Sequence, residues 1–214
     1  MLAAAADADA AALLSGAAAV RDDGALQLTN DSVLIHGLQR LVHGSVVFLP
    51  VPGRRSFTAT RFELELHLAG TSSESGFSLS YGGIPRGAPA HGVGEWGISR
   101  GLRLSLLTTR ADASLPLLYT VAQHLHVHYA GQEATPPIPI DPPMSGAFAL
   151  DLRYGDDGLR VSLDGTVRAS ALPVAGWAPQ SDWAVSLGAV TDVSHERMAG
   201  VDEYTVLAFR ASFG

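Results

Sequence analysis

Cysteine and lysine are both absent from this 214-residue sequence. Without cysteine, the chain can form neither a disulfide framework nor a thiolate metal site. All 14 basic residues are arginine, and together with 21 acidic residues they give a formal net charge of −7. Because a phosphate backbone is bound by a basic face, this balance argues against a nucleic-acid partner.

The sequence also lacks long apolar segments. No apolar run approaches the ~20 residues of a membrane-spanning helix. The opening MLAAAADADAAALL has no basic region, and Asp7 and Asp9 interrupt it, unlike a secretory leader. We therefore expect no membrane span and favour a cytoplasmic protein or part of a larger assembly. Residues 1–13 are expected to form a flexible N-terminal arm, and residues 14–214 a single domain.

Alternation of apolar and polar residues is the clearest pattern present. It is strongest in residues 57–68, FTATRFELELHL, where Phe62, Leu64 and Leu66 share one face. These three side chains are predicted to lie in the core. Because the residues before Phe62 are out of phase with it, a β-bulge is expected near Thr60.

Further strand patterns are separated by turn signals at intervals of roughly 8–12 residues, and no long helix is predicted. Residues 131–145 contain five prolines and no periodicity, so they are expected to form a long loop. Taken together, the patterns indicate an all-β sandwich. The expected strands are 14–20 and 25–29 as a hairpin, then 44–52, 76–83, 102–106, 120–129, 147–154, 159–163, 183–189 and 204–209.

Several stretches resemble the concanavalin A-like lectin and glucanase superfamily. Residues 92–109, GVGEWGISRGLRLSLLTT, are similar to its "G-E-x-G … G-L-x-V-S-F-D-T" segment. Residues 23–29, 44–51 and 154–165 are similar to its "D-G-A-L-x-L-T", "G-S-A-F-F-x-x-P-V" and "Y-D-D-G-L-x-V-x-L-D-G" segments. The ordered series spans about residues 14–211. The resemblance implies a jelly-roll β-sandwich of two large antiparallel sheets and a lectin-like function.

Two acidic residues that the resemblance would lead one to expect are missing. In calcium-dependent members, aspartates of the sugar site stand where this chain has Ser75 and Leu107. Calcium needs several oxygen ligands, and Asp112 cannot supply the missing pair alone. We therefore expect neither a metal nor another cofactor.

The resemblance places the sugar-binding end where the connections 69–76 and 84–97 meet. Glu95 and Trp96 in the glycine-rich loop, with Tyr81, His91, Ser75 and Gly76, are the candidate ligand-binding residues. An aromatic face can stack on a sugar ring, and a carboxylate accepts hydrogen bonds from hydroxyl groups. In the alternative interpretation, Trp96 plugs the end of the sandwich and Glu95 caps a turn.

Two further clusters were weighed as sites. His124, His126 and His128 share one strand face, where a zinc site would require the strand to bend inward; a polar sheet face is the alternative. Glu63 and Glu65 are two residues apart, but the "E-x-D-x-x-E" pattern of laminarinase-like glucanases is incomplete there. A solvated face is the alternative for this pair.

The sequence therefore predicts a non-catalytic lectin-like module that binds carbohydrate without calcium. The alternative is a protein-interaction or assembly domain that has lost its sugar site, and a glycoside hydrolase is a weaker one. The expected partner is thus a carbohydrate or another protein, and no catalytic residue is assigned. Fold alone does not decide among these functions.

Overall fold

The computed structural model describes residues 12–29, 41–48, 59–69, 75–83, 101–110, 121–174, 176–178, 180, 183–192 and 203–213. Within these ranges the regular elements are all β-strands, joined by turns and irregular segments. No helix in the described part of the chain is long and apolar enough to cross a membrane. The strands form two large antiparallel sheets, which confirms the predicted sandwich.

Sheet A is built from eight of the described strands. They are β1 (Ala12–Gly16), β4 (Leu41–Phe48), β6 (Ser75–Gly82), β7 (Gly101–Arg110), β8 (Val121–Tyr129), β9 (Gln132–Glu133), β10 (Ile138–Ile140) and β14 (Ala184–Asp192). Their spatial order is β1-β4-β14-β6-β7-β8-β10, and β9 also pairs with β8.

Sheet B is built from seven described strands. They are β2 (Ala19–Val20), β3 (Leu26–Gln27), β5 (Ala59–Ala69), β11 (Gly146–Gly155), β12 (Gly158–Leu163), β13 (Thr166–Leu172) and β15 (Glu203–Phe213). Their spatial order is β13-β12-β11-β5-β15-β3-β2. The turn at residues 155–158, which separates the expected strands 147–154 and 159–163, joins β11 to β12, and the turn at Asp164–Gly165 joins β12 to β13.

The core lies between the inward faces of the two sheets. Phe62, Leu64 and Leu66 on β5 are 2%, 3% and 1% exposed, so the predicted core face is confirmed. The residues that alternate with these three along β5 face outward and are half-buried or exposed. Arg61 pairs with Ser212 and Ala59 with Phe213, so Thr60 is an extra residue on β5. The expected bulge is therefore present at that position.

The first predicted hairpin is wrong in its pairing. Ala12–Gly16 joins sheet A by pairing with β4, and only Ala19–Val20 pairs with Leu26–Gln27 in sheet B. The chain thus crosses between the sheets at residues 17–18. Gly44 permits this crossing, because a Cβ atom there would overlap the carbonyl oxygen of Leu28. Strand structure begins at Ala12, within the segment expected to be a flexible arm; residues 1–11 lie outside the described residues.

The expected long loop at 131–145 is also corrected. It contains β9 and β10, both of which pair with β8. Proline is compatible with β10 because this strand lies at the edge of sheet A, where one side of the backbone needs no partner. Ile140 is buried, so an apolar side chain holds the strand against the core.

Candidate functional site

The outward face of sheet A carries a row of polar side chains. Cross-strand pairing aligns Ser186 on β14, Ser80 on β6, Arg103 on β7, His128 on β8 and Glu133 on β9. We call these five residues the polar row. They face outward because each strand places its apolar neighbours, such as Leu79, Leu104 and Val127, in the core.

The two ends of the polar row differ in exposure. Ser80 and Ser186 are 0% and 1% exposed, whereas Arg103 and His128 are half-buried and Glu133 is exposed. Within the described chain, Ser186 Oγ and His128 Nδ1 are buried atoms with no hydrogen-bond partner. Buried polar atoms are nearly always hydrogen-bonded to protein, water or ligand. Ser186 Oγ and His128 Nδ1 are therefore two atoms of this row whose hydrogen bonds must come from outside the described residues.

The histidines of β8 form one aligned series beside this row. The ring centroids of His124 and His126 are 6.4 Å apart, and those of His126 and His128 are 6.2 Å apart. His126 Nδ1 lies 3.0 Å from Glu133 Oε1. The expected polar sheet face is thus what β8 presents.

The environment of His128 favours its neutral form. Burial is the largest cause lowering its pKa, the Arg103 charge lowers it further, Glu133 opposes the shift, and His126 adds to it. A neutral imidazole has one nitrogen that donates and one that accepts a hydrogen bond. His128 therefore suits a ligand rich in hydroxyl groups.

The two positions of the missing acids are both in sheet A. Ser75 is buried, and its hydroxyl oxygen lies 3.0 Å from Tyr204 Oη. Leu107 faces outward between Gly76 and His124 on the neighbouring strands. Among the residues that the structure describes, no three histidine or acidic side chains are arranged to hold a metal ion.

Three of the predicted binding residues, His91, Glu95 and Trp96, lie outside the described residues. The segment that carries them, 84–100, follows β6 and precedes β7. Gly82 on β6 pairs with Gly101 on β7. This pair follows the pair Ser80–Arg103 by two residues and lies on the same outward face of sheet A. Gly101 has φ +110°, and a Cβ there would overlap the Tyr81 carbonyl oxygen, so only glycine fits. The segment therefore begins and ends beside the polar row.

Tyr81 is a core residue, which corrects the expectation that its ring faces a ligand. It is 2% exposed, and its ring centroid lies 5.2 Å from that of Trp183 and 5.4 Å from that of Phe62. A ring enclosed in this way cannot stack on a sugar. Gly76 is likewise buried in β6 and contributes backbone alone.

Trp177 and Trp183 belong to an aromatic cluster around Tyr81. Trp177 stacks on Tyr154 of sheet B with centroids 4.5 Å apart, and it lies 5.8 Å from the ring of Tyr129 of sheet A. Tyr129 also donates a hydrogen bond of 2.8 Å to the Gly176 carbonyl. Trp177 thus bridges the two sheets, the type of role that the alternative interpretation gave to Trp96.

Glu63 and Glu65 are on the outward face of sheet B, away from the polar row. Glu63 Oε1 lies 2.6 Å from Arg61 Nη2, and Glu65 is exposed beside Ala149 and Ala208. None of the five members of the polar row was predicted as a ligand-binding residue, and His128 was weighed only as part of a zinc site. Only the alternation of Arg103 with leucines signalled their outward direction.

No protein-family model and no curated protein sequence matches the chain. Solved structures do match it. The carbohydrate recognition domain of Emp46p in its metal-free form is 15% identical with a TM-score of 0.62, over 94% of this chain and 87% of that chain. The VIP36 exoplasmic/lumenal domain bound to Ca²⁺ and mannose is 14% identical with a TM-score of 0.53, over 92% and 82%. LamAcat from Zobellia galactanivorans is 12% identical with a TM-score of 0.55, over 89% and 77%. The chain therefore has the concanavalin A-like fold, as its sequence resemblance predicts.

Proposed function

We propose that the protein is a non-catalytic lectin-like module that binds carbohydrate without calcium on the outward face of sheet A. The observation that carries this proposal is the polar row, with two buried hydrogen-bonding atoms, Ser186 Oγ and His128 Nδ1, that have no partner in the described chain. The carbohydrate recognition domain of Emp46p and the mannose-bound exoplasmic/lumenal domain of VIP36, which have the same fold, lend it support.

The chemistry of the polar row suits sugar hydroxyl groups. A hydroxyl both donates and accepts, so different hydroxyl groups of one ligand can bond to the neutral His128 and to Ser186, which are three strand spacings of about 4.8 Å apart. At the exposed end of the row, Arg103 supplies hydrogen-bond donors and Glu133 supplies acceptors. These groups would fix the orientation of a bound ligand and add to its affinity. Such a row would hold one or two sugar rings against the sheet.

An aromatic platform is the component that the polar row lacks. Trp96 can supply it, because the segment 84–100 begins and ends beside the row. In this proposal Trp96 stacks on a sugar ring, and Glu95 and His91 bond to its hydroxyls. Ser75 and Gly76 support the site through the backbone of β6, since both are buried.

Independence from calcium is proposed because Ser75 and Leu107 offer no carboxylate. Calcium is held by six to eight oxygen ligands, usually including carboxylates. The lack of catalysis is proposed because the acidic pattern of the glucanases is incomplete, and Glu63 is paired with Arg61 on the other sheet. A general acid and nucleophile need carboxyl groups that flank the substrate.

A glycan array probed with and without a chelator tests the proposal. We expect binding that survives chelation. Trp96→Ala should weaken binding of a glycan found in this way by about 1–3 kcal/mol, and Glu95→Gln should weaken it less because the amide retains an acceptor. The melting temperature of Trp96→Ala should stay near that of the wild type.

The polar row is tested by His128→Gln, with His67→Gln on the outward face of sheet B as the matched control. We expect the first substitution to lower glycan affinity and the second to leave it unchanged, as measured by calorimetry. Equal affinity in both variants, or an array without any glycan ligand, would contradict the proposal. Collapse of the fold in Trp96→Ala would instead assign Trp96 to the core.

A second candidate function, protein assembly, is favoured by the edge strand β1. Its Leu13 and Leu14 are 50% and 44% exposed, and the strand carries no charged residue. Exposed edges without charge or proline are prone to pair with another strand. Light scattering of the wild type and of Leu14→Lys tests it: a larger species that the lysine converts to monomer would support assembly, and a wild-type monomer would not.

A further inference from the structure

The outward face of sheet B carries a line of three arginines. Cross-strand pairing sets Arg160 on β12 opposite Arg153 on β11, and Arg153 opposite Arg61 on β5. We call these residues the arginine ladder. Like charges directly opposite one another destabilise a sheet, and neighbouring strands are only about 4.8 Å apart. The ladder therefore needs compensating interactions.

Two acids compensate part of the ladder. Asp151 accepts hydrogen bonds from Arg61 Nε and Nη2, both at 3.1 Å, and from Arg153 Nε at 2.9 Å. Glu63 pairs with Arg61 at 2.6 Å. Burial works against ionisation of Asp151, yet the hydrogen bonds from Arg153 and Arg61 hold its pKa below the usual value. Two positive and two negative charges are thus balanced.

Two arginines remain outside this balanced group. Arg160 on β12 is the last residue of the ladder. Arg210 on β15 pairs with Glu63 on β5, on the other side of the balanced group. Both are exposed, and neither makes an ion pair within the described chain. They flank a groove of about 560 Å³ that also contains Ser162 and Glu65. The lining also includes the small residues Ala149 and Ala208, which pair with Glu65 on the neighbouring strands, and Gly165.

We propose that this groove is a second binding site, separate from the polar row, for an acidic oligosaccharide carrying sulfate or carboxylate groups. Arg160 and Arg210 bind two of its anionic groups, and Arg153 contributes its exposed edge. Guanidinium groups bind sulfate and carboxylate through paired, charge-assisted hydrogen bonds. Ser162 and Glu65 bind sugar hydroxyls between the anionic groups.

The surroundings favour an acidic sugar over a nucleic acid. Among the described residues that line the groove, none offers an exposed aromatic ring on which a base could stack, since Phe209 is buried. Asp151, Glu63 and Glu65 share the groove lining with the arginines and repel a continuous phosphate backbone. A ligand with spaced anionic groups and hydroxyls meets both the arginines and the acids.

The test uses three hexasaccharides with one backbone: sulfated, uronate-containing and uncharged. Binding to the full chain is measured by calorimetry at low salt and at ~0.15 M ionic strength. Arg160→Gln and Arg210→Gln are each compared with Arg21→Gln, which removes the same charge from the turn before β3. Arg21 is exposed and pairs only with neighbouring Asp23 in the described chain.

We expect one or both charged hexasaccharides to bind and the uncharged one not to bind at this site. Arg160→Gln and Arg210→Gln should each weaken binding about fivefold or more, whereas Arg21→Gln should not. The preferred anion identifies the ligand as a sulfated or a uronate sugar. Failure of both charged sugars to bind, or an equal loss in Arg21→Gln, would overturn the proposal. His128→Gln should leave this binding unchanged, which separates it from the glycan site on sheet A.

Discussion

Leu64 shows how one side chain connects the alternation of β5 to the stability of the sandwich. It is 3% exposed between the sheets. Leu64→Ala is expected to lower the free energy of unfolding by about 2–5 kcal/mol, because apolar contacts are lost and a cavity remains. Urea denaturation measures this. Glu65 is the next residue and faces outward, so Glu65→Ala should change the free energy of unfolding by less than about 0.5 kcal/mol. Similar losses of stability in both variants would contradict the assigned faces.

His128 links electrostatics to pH at the residue scale. Its usual pKa is 6.5, and burial together with the Arg103 charge lowers it in the folded protein. As pH falls below 6.5, the unfolded chain takes up the proton first. The contribution of His128 to stability is therefore lost between pH 6.5 and the lowered pKa, and it changes no further below that.

NMR titration of the imidazole protons checks the assigned causes. Arg103→Gln should raise the pKa of His128, and Glu133→Gln should lower it further, since the two charges act with opposite signs. Burial persists in both variants, so neither should restore the usual value completely. Shifts of the same sign in the two variants would show that the row is not arranged as described.

Gly44 acts at the scale of strands, because it lets residues 17–18 pass across β4 from sheet A to sheet B. Gly44→Ala should destabilise the protein by about 1–3 kcal/mol, the usual range for overpacking. Thermal unfolding measures this. Gly155→Ala is the matched control, since a Cβ there would meet no atom within 4 Å. An unchanged melting temperature in Gly44→Ala would mean that the backbone of residues 18 and 28 leaves room for a Cβ atom at position 44.

Elements with strong local patterns were predictable from the sequence. The alternation in β5 and the turn at residues 155–158 both have causes within a few residues, and both were predicted. The pairing of β1 was not, because apolar alternation does not say which sheet a strand joins. β10 was missed because Pro139 and the prolines that flank the strand are usual in loops, whereas the edge position of β10 makes Pro139 compatible with a strand.

The whole molecule sets the metal dependence. Calcium added at sub-millimolar concentration should leave the melting temperature unchanged, because only a ligand that binds the folded state raises it. Differential scanning calorimetry in calcium and in chelator measures this. A clear rise with calcium would mean that carboxylates elsewhere in the chain hold the ion, since Ser75 and Leu107 cannot.

The candidate site was predictable only in part, because it exists only when distant strands are assembled. His128 and Arg103 could be seen to face outward from their own strands. Their alignment with Ser80, Ser186 and Glu133 depends on the order β14-β6-β7-β8-β9, which local patterns do not contain. Tyr81 was misplaced for the same reason, since its neighbours Trp177 and Trp183 come from a distant loop.

The pair Gly82–Gly101 makes the segment 84–100 a replaceable part. Both of its ends are held by neighbouring strands of sheet A, so the pairing of β6 with β7 fixes where a replacement must begin and end. Doubling the length of a flexible loop costs only about 0.6 kcal/mol in closure entropy. A library of different sequences and lengths between these glycines should therefore yield folded proteins with new specificities, and the sandwich would serve as a scaffold for selecting binders.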